Sequence, residues 1–221
     1  MPESKAVIWD MDGVIAYTAP YHLKAWQGVF QKRDVDFTEE DFRRHFGQRN
    51  DTIVKSVLGE GLSKEEVDAV ADEKEKSFRH TIGQDINPLP GVIELMTSLI
   101  RQGFKMALAS SAPRENIKLV TQTLGINNYF QSVIAGRDVT EGKPSPQIFL
   151  LAAQKLAVKP ENCIVIEDSV AGVRAAKRAG MHCLAVTNTH PRHSLSEADL
   201  VVDTLAAVSV SDLENLLNKG D

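Results

Sequence analysis

An open, doubly wound α/β sheet of Rossmann-like type, with a helical cap inserted after its first strand, is the fold this sequence predicts. Three observations carry that reading. Short, nearly continuous apolar runs recur along the 221 residues, as they do in strands buried on both faces of a parallel sheet. Segments with helical spacing and recognisable stops separate those runs, and such alternation implies crossover connections between parallel strands. One long stretch near the N-terminus breaks the rhythm and carries helical patterns only.

Taken in order, the first run is Ala6-Val7-Ile8-Trp9, and it leads at once into Asp10-Met11-Asp12-Gly13-Val14. From about residue 18 to 87 no strand pattern is convincing, whereas charged helical patterns occupy 23–30, 39–46, 51–58 and 64–79. The division that follows is an α/β core of residues 1–16 and 88–221, with a helical cap of residues 17–87 set into it. Pro90-Gly91 opens a helix with Val92, Leu95, Met96 and Leu99 on one face, and Gly103 is its stop. A strand is read at 106–109. Pro113 then suits the first turn of a helix whose face is Ile117, Val120 and Leu124, ending at Gly125. Phe149, Ala152, Ala153 and Leu156 mark another helix. Strands at 164–166, 184–186 and 200–202 follow, and Ser169 caps a helix running to Gly180.

Composition excludes several function classes. With 43% hydrophobic and 25% charged residues the chain has the balance of a globular protein, so a packed core is expected and wholesale disorder is not. A net charge of −5 without any long basic run argues against nucleic acid as partner. No apolar stretch reaches the roughly 18 residues of a membrane span, and the residues before Asp10 are too poor in apolar content for a signal peptide. Cys163 and Cys183, 20 positions apart, form neither a metal nor a redox pattern and head apolar runs, as small core residues do. The setting expected is cytoplasmic, for a monomer or weak homo-oligomer.

Ligands of an open parallel sheet bind at the carboxyl ends of its strands, near the point where strand order reverses. Polar groups collect at those ends here. The first strand ends in Asp10 and Asp12, the second in Ser110-Ser111, the third in Glu167-Asp168, and Lys143 stands before a helix in Gly142-Lys143-Pro144-Ser145-Pro146. Carboxylates gathered at one edge repel one another unless a cation sits among them, and hard oxygen donors favour Mg2+. A Lys and a hydroxyl at the same edge add an anion-binding element. Carboxylates, a divalent ion, Lys and Ser together are what phosphoryl transfer needs: an oxygen nucleophile, charge neutralisation and positioning.

These motifs, in this order, resemble the haloacid dehalogenase superfamily in its phosphatase and β-phosphoglucomutase-like branch. The match runs through Asp10-x-Asp12-Gly13-Val14, Ser110, Gly142-Lys143-Pro144-x-Pro146 and Glu167-Asp168-Ser169, and spans essentially the whole chain. The resemblance implies that Asp10 attacks phosphorus and becomes an aspartyl phosphate. Asp12 would protonate the leaving group and then activate the incoming water or hydroxyl. Ser110 would bind the transferring group, and Lys143 would balance its charge and orient Asp10. Mg2+ would be held by Asp10, the backbone carbonyl of Asp12 and Asp168, with Glu167 beside it. A small phosphorylated metabolite, a sugar phosphate foremost, is the implied substrate.

The resemblance extends into the cap, with departures. Gly47-Gln48-Arg49-Asn50-Asp51-Thr52 is similar to the cap segment whose Arg contacts the far end of the substrate in β-phosphoglucomutases, and an Arg fork suits a second phosphate. His22 and Trp26 fall where the mutases have a His and a Trp, four apart on one helix face. Lys76 or Arg79 is a further basic candidate, although Lys74-Glu75-Lys76 reads equally as a solvated face. The family's usual Asp before a Thr or Ser is replaced in Tyr17-Thr18. Where the mutases carry Ser and Asn for the distal phosphate this chain has Ser111-Ala112-Pro113-Arg114, leaving Ser111 and Arg114 as candidate phosphate contacts. Three readings follow: a phosphatase, a β-phosphoglucomutase using the same covalent step, and a phosphorylatable binding module. Asp12 and the cap count against the third, since a receiver needs neither, and Asp12 counts against dehalogenation.

Overall fold

A computed structural model describes residues 4–83 and 86–218; the outer limits of the expected core, residues 1–3 and 219–221, and residues 84–85 of the expected cap lie outside the described residues. The apolar runs form strands β1 (Ala6–Trp9), β2 (Lys105–Ala109), β3 (Ser132–Ile134), β4 (Cys163–Glu167), β5 (His182–Val186) and β6 (Leu200–Val202). All the pairings are parallel, in the order β3-β2-β1-β4-β5-β6. That order places the switch point beside β1, between it and β4, where a doubly wound sheet binds its ligand.

Between β1 and β2 run α1 (Ala19–Gln31), α2 (Glu39–His45), α3 (Asn50–Leu58), α4 (Lys64–Ile82) and α5 (Val92–Arg101). Helices α6 (Arg114–Thr123), α7 (Gln147–Leu156), α8 (Val170–Arg178) and α9 (Val210–Leu217) follow the later strands. Alternation of side chains along each strand divides the core into two layers. Val7, Trp9, Met106, Leu108, Ile164 and Ile166 face α5, α6 and α9, whereas Ala6, Ile8, Ala107, Val165 and Cys183 face α7 and α8. Small alanines on the second face let Phe149 and Leu156 of α7 settle close to the sheet; burying a side chain of that size stabilises by roughly 1.5–3 kcal/mol. Cys163 and Cys183 are both buried, as their place in the apolar runs implies.

Helices α1 to α4 pack on a core of their own, in which Trp26, Phe30, Phe37, Phe42, Phe46, Ile53, Val67 and Val70 are buried. Trp26 and Phe30 stack with ring centroids 5.1 Å apart. Capping boxes at Thr38 with Asp41 and at Ser63 with Glu66 start α2 and α4, satisfying helix-end N–H groups. Chain exit and re-entry lie side by side: Ala16 bridges both Asp12 and Pro88, and Leu89 N donates to Ile15 O at 2.8 Å. This pairing anchors the helical segment directly beside Asp12.

Some boundaries differ from the sequence reading. Helix α1 begins at Ala19, with Pro20 in its first turn, and Pro113 caps α6 from outside rather than entering it. Strand β3 and helix α9 lie outside the elements read from the sequence: β3 has three residues on the sheet edge, and α9 is announced only by its Ser209–Asp212 capping box and the leucines after it. Among the described residues no helix is long and apolar enough to cross a membrane.

Candidate active site

Register brings the polar groups together. Asp10 N donates to Ile166 O at 3.0 Å, continuing the β1–β4 ladder one step past the strand, so Asp10 stands beside Glu167 and Asp168. On the other flank Ser110 N donates to Ile134 O at 3.1 Å, and Ser110 Oγ accepts from Ala112 N at 3.1 Å. Gly13 holds a φ of +82°, and a Cβ there would overlap the Asp168 carboxylate. Only glycine lets the turn after β1 come this close.

Lys143 is the electrostatic centre of the edge. Its side chain is fully buried and its Nζ donates to Asp10 Oδ1 at 2.5 Å and to Glu167 Oε1 at 2.6 Å. Burial by itself lowers a lysine, but Asp10 and Glu167 outweigh it and hold this ammonium above its usual range. Burial, against the pull of Lys143 and with the help of Glu167 and Asp12, pushes Asp10 up to about 7. Removing one partner of a buried charge network leaves the others uncompensated. Lys143→Met is therefore expected to cost about 3–5 kcal/mol of stability, measured by urea unfolding in EDTA. Wild-type stability in that variant would mean that the pair does not hold the edge together.

Glu167 is held through both of its oxygens. Beyond Lys143, its Oε2 accepts from Asp168 N, Ser169 N and Ser169 Oγ at 2.8, 2.8 and 2.9 Å, which ties it to the start of α8. Ser169 Oγ in turn accepts from Gly172 N, the helix cap the sequence predicts. Expected among the Mg2+ carboxylates or beside the ion, Glu167 has Oε2 taken by two amides and a hydroxyl and one position of Oε1 taken by Lys143. Asp168 differs. Its Oδ2 accepts from Thr189 Oγ1, but its Oδ1 is buried without a hydrogen-bond partner. Burial first, then Glu167 and Asp10, raise this carboxyl well above the ordinary range. A buried carboxyl oxygen without a hydrogen-bond partner beside Asp10 is a position that a cation would satisfy. Among the described residues no three His, Cys, Asp or Glu side chains converge tightly enough to hold a metal unaided. Mg2+ fits such a sparse set, because it commonly takes one or two carboxylates and completes its shell with water and phosphate oxygens.

Asp12 sits in a second network. Its Oδ1 accepts from Thr18 Oγ1 at 2.6 Å and lies 3.1 Å from His22 Nε2. His22 Nδ1 is 2.7 Å from Lys74 Nζ, which can only donate, so the ring accepts at Nδ1 and donates from Nε2 to Asp12. Burial would raise Asp12, but His22 and the hydrogen bonds from His22 and Thr18 overrule it and hold the carboxyl below its usual range. Thr18, the residue after the position where the family usually has Asp, is thus a hydrogen-bond partner of Asp12, whereas Tyr17 is exposed.

Asp10, Asp12, Ser110 and Ser111 open on one cavity roofed by the helical segment, where His22, Trp26, Gln48, Asn50, Lys74 and Glu75 face them. Two expected substrate contacts do not reach it. Arg49 donates to Asp51 through Nε and Nη2 at 3.1 and 2.7 Å and to the Val139 carbonyl through Nη1 at 2.8 Å. It crosses to the neighbouring loop over Gly142, where a Cβ would collide with it, and its successor Asn50 faces the cavity instead. Arg114 is exposed and paired with Asp138 at 2.5 Å. Ser111 lines the cavity with its hydroxyl donated to Gly47 O at 2.7 Å. Of the further basic candidates, Lys76 is exposed and Arg79 donates to Asn116 Oδ1 at 2.8 Å. Lys74, read as part of a solvated face, is the one in the cavity. Its signal was present: Val67, Val70, Lys74, Phe78 and Ile82 repeat at helical spacing, and all are buried. His190 was not foreseen at all; its Nδ1 lies 3.1 Å from Asp168 O and its Nε2 3.0 Å from Arg43 O, joining the sheet edge to α2.

Comparison with known proteins bears on this arrangement. The family described as haloacid dehalogenase-like hydrolase matches residues 4–180. A beta-phosphoglucomutase of Bacillus subtilis is 34% identical over 206 residues, covering 90% of this chain and 88% of that one. A phosphorylated carbohydrates phosphatase of Thermotoga maritima is 32% identical over 219 residues and covers 97% of both. The crystal structure of a beta-phosphoglucomutase from Clostridium difficile superposes with a TM-score of 0.90 at 29% identity, covering 98% of each chain.

Proposed function

The chain belongs to the haloacid dehalogenase-like hydrolase family and is an enzyme of its phosphotransferase type, and from that premise we propose that it is a Mg2+-dependent phosphatase of small sugar phosphates. The observation that carries the proposal is that Asp10, clamped by Lys143, opens on the same small cavity as Asp12 and Ser110. Asp10 attacks phosphorus and becomes the aspartyl phosphate. Ser110 holds the phosphoryl oxygens, and Lys143 balances charge while fixing the Asp10 carboxylate. Asp12 starts as a carboxylate; a phosphate dianion brought beside it raises its pKa, so that it takes up a proton and gives it to the leaving oxygen. After departure it is again a base and removes a proton from water. Helices α1 to α4 act as the cap that excludes bulk solvent.

Asp10, Asp168 and the Asp12 carbonyl would hold Mg2+, whose charge stabilises the phosphoryl oxygens. Because burial pushes Asp10 up to about 7 in the metal-free site, its carboxyl carries a proton over the lower part of the neutral range that the cation must displace. Mg2+ affinity should therefore strengthen from pH 6 to pH 8, by up to about tenfold per pH unit for each proton released. Calorimetry in buffers of different ionisation enthalpy reads the released protons. Metal-free stability should move oppositely: Asp10 has its folded pKa above its unfolded value, so its contribution is full below about 4 and lost as pH rises through 7. Full phosphatase activity after chelation, or pH-independent Mg2+ binding, would overturn the metal assignment.

A phosphate-release screen over phosphorylated sugars tests the activity itself. The mutase reading remains the second one, favoured by the similarity to beta-phosphoglucomutases from two organisms. β-Glucose 1-phosphate with a trace of glucose 1,6-bisphosphate separates them. Free phosphate alone supports hydrolysis; glucose 6-phosphate without matching phosphate establishes the mutase.

A further inference from the structure

We infer that Glu75 sets the substrate class: it makes the cap side of the cavity a hydroxyl-binding wall, so the enzyme takes sugar monophosphates and rejects a second phosphate at the far end. This rests on the phosphatase reading above. Lys74 is the sole Lys or Arg among the residues lining that cavity, and it is the natural anchor for a distal anion. Its charge is already spent. Nζ donates to Glu75 Oε1 at 2.7 Å and to His22 Nδ1 at 2.7 Å, and it lies 5.1 Å from the Trp26 ring centroid and 5.4 Å from that of Phe78.

Glu75 cannot swing aside to release it. The carboxylate also accepts from Asn50 Nδ2 at 2.7 Å and from Asn116 Nδ2 at 2.5 Å, and Arg79 donates to Asn116 Oδ1 in turn. Lys74 and Glu75 side chains are only 2% and 4% exposed, so water screens them little. A second phosphate entering here meets a fixed buried carboxylate with no spare cation, a repulsive element of the kind that creates specificity. Arg49, the other basic group of this part of the cap, is tied to Asp51 and Val139 outside the cavity. Beside the His22–Lys74–Glu75 network, the cap side presents the Gln48 amide, the part of the Asn50 amide that Glu75 leaves free, and the apolar faces of Trp26, Phe42, Phe46 and Ile53, a set suited to hydroxyls and C–H faces of a sugar.

The test compares kcat/KM for fructose 1-phosphate and fructose 1,6-bisphosphate, first in the wild type and then in Glu75→Gln. Wild type should favour the monophosphate by at least about tenfold, since like charges across a buried site are strongly selected against. In Glu75→Gln, KM for the bisphosphate should fall by roughly tenfold while KM for the monophosphate does not fall, because only the bisphosphate can use the freed Lys74 charge. Such a gain is not what damage to the cap produces. Should the variant fail to fold, the wild-type ratio decides alone: phosphate released from both probes with equal kcat/KM overturns the inference and leaves the phosphatase reading standing. No phosphate from either probe or from any sugar in the screen overturns the phosphatase reading, and the inference with it.

Discussion

Asp10→Asn is expected to leave less than about 1% of wild-type turnover with the fold intact, since loss of a covalent nucleophile removes a whole reaction path. Asn keeps the shape of the side chain and an oxygen for Lys143 to donate to, so the edge between β1 and β4 stays assembled. It removes the anionic oxygen that forms the bond to phosphorus. Two measurements make the result specific. Urea unfolding in the presence of Mg2+ should stay within a few kcal/mol of wild type, because Lys143 keeps Glu167 as its partner. Intact-protein mass after an acid quench should show one added phosphoryl group in the wild type during turnover and none in the variant. Retention of more than about 1% of the rate, or a phosphorylated variant, would sink Asp10 as nucleophile.

Asp12→Ala should lose about 10²–10⁴-fold in kcat for a sugar phosphate, the range that general acid–base catalysis contributes. The structure explains why no neighbour substitutes. Thr18 and His22 both donate to Asp12 Oδ1, and neither stands as a base with a free acceptor at that position. The loss should depend on the leaving group. A sugar alkoxide needs a proton as it departs, whereas p-nitrophenolate does not, so p-nitrophenyl phosphate should still phosphorylate Asp10 in the variant. The phosphoenzyme should then accumulate, because water attack also lacks its base. Equal loss for both substrates without accumulated phosphoenzyme would contradict the double role.

The residues behind these two effects differ in how visible they are in the sequence. Asp10, Asp12, Ser110, Glu167 and Asp168 are legible because each lies at or just past a strand end, and Lys143 because it stands in the loop before a helix; such placement is a local property. Glu167 shows the limit of that reading. Its place at the strand end is a local feature, but only the fold brings Lys143, two amides and a hydroxyl onto its oxygens. Arg49 and Asn50 show it again. Both lie in the segment that pointed to substrate contact, and which one faces the cavity depends on the angle at which α3 leaves its cap residue, with Arg49 extended at φ −74° and ψ 152°. Lys74 and Glu75 read as a solvated face in the sequence because a charge run on a helix is usually exposed. Their place on the stripe from Val67 to Ile82 was the available warning.

By itself, the sequence determined the alternation of buried strands and helices, the inserted helical segment and the carboxylates at the sheet edge. Those features depend on apolar periodicity and on groups within a few positions of a strand end. Tertiary structure alone decided which polar groups meet: Lys143 with Asp10 across 133 positions, Lys74 with His22 across 52, and Asn116 with Glu75 across 41. The reason is physical. An ion pair's worth depends on burial and distance, and both are set when separate elements pack, not by the neighbours of either residue in the chain.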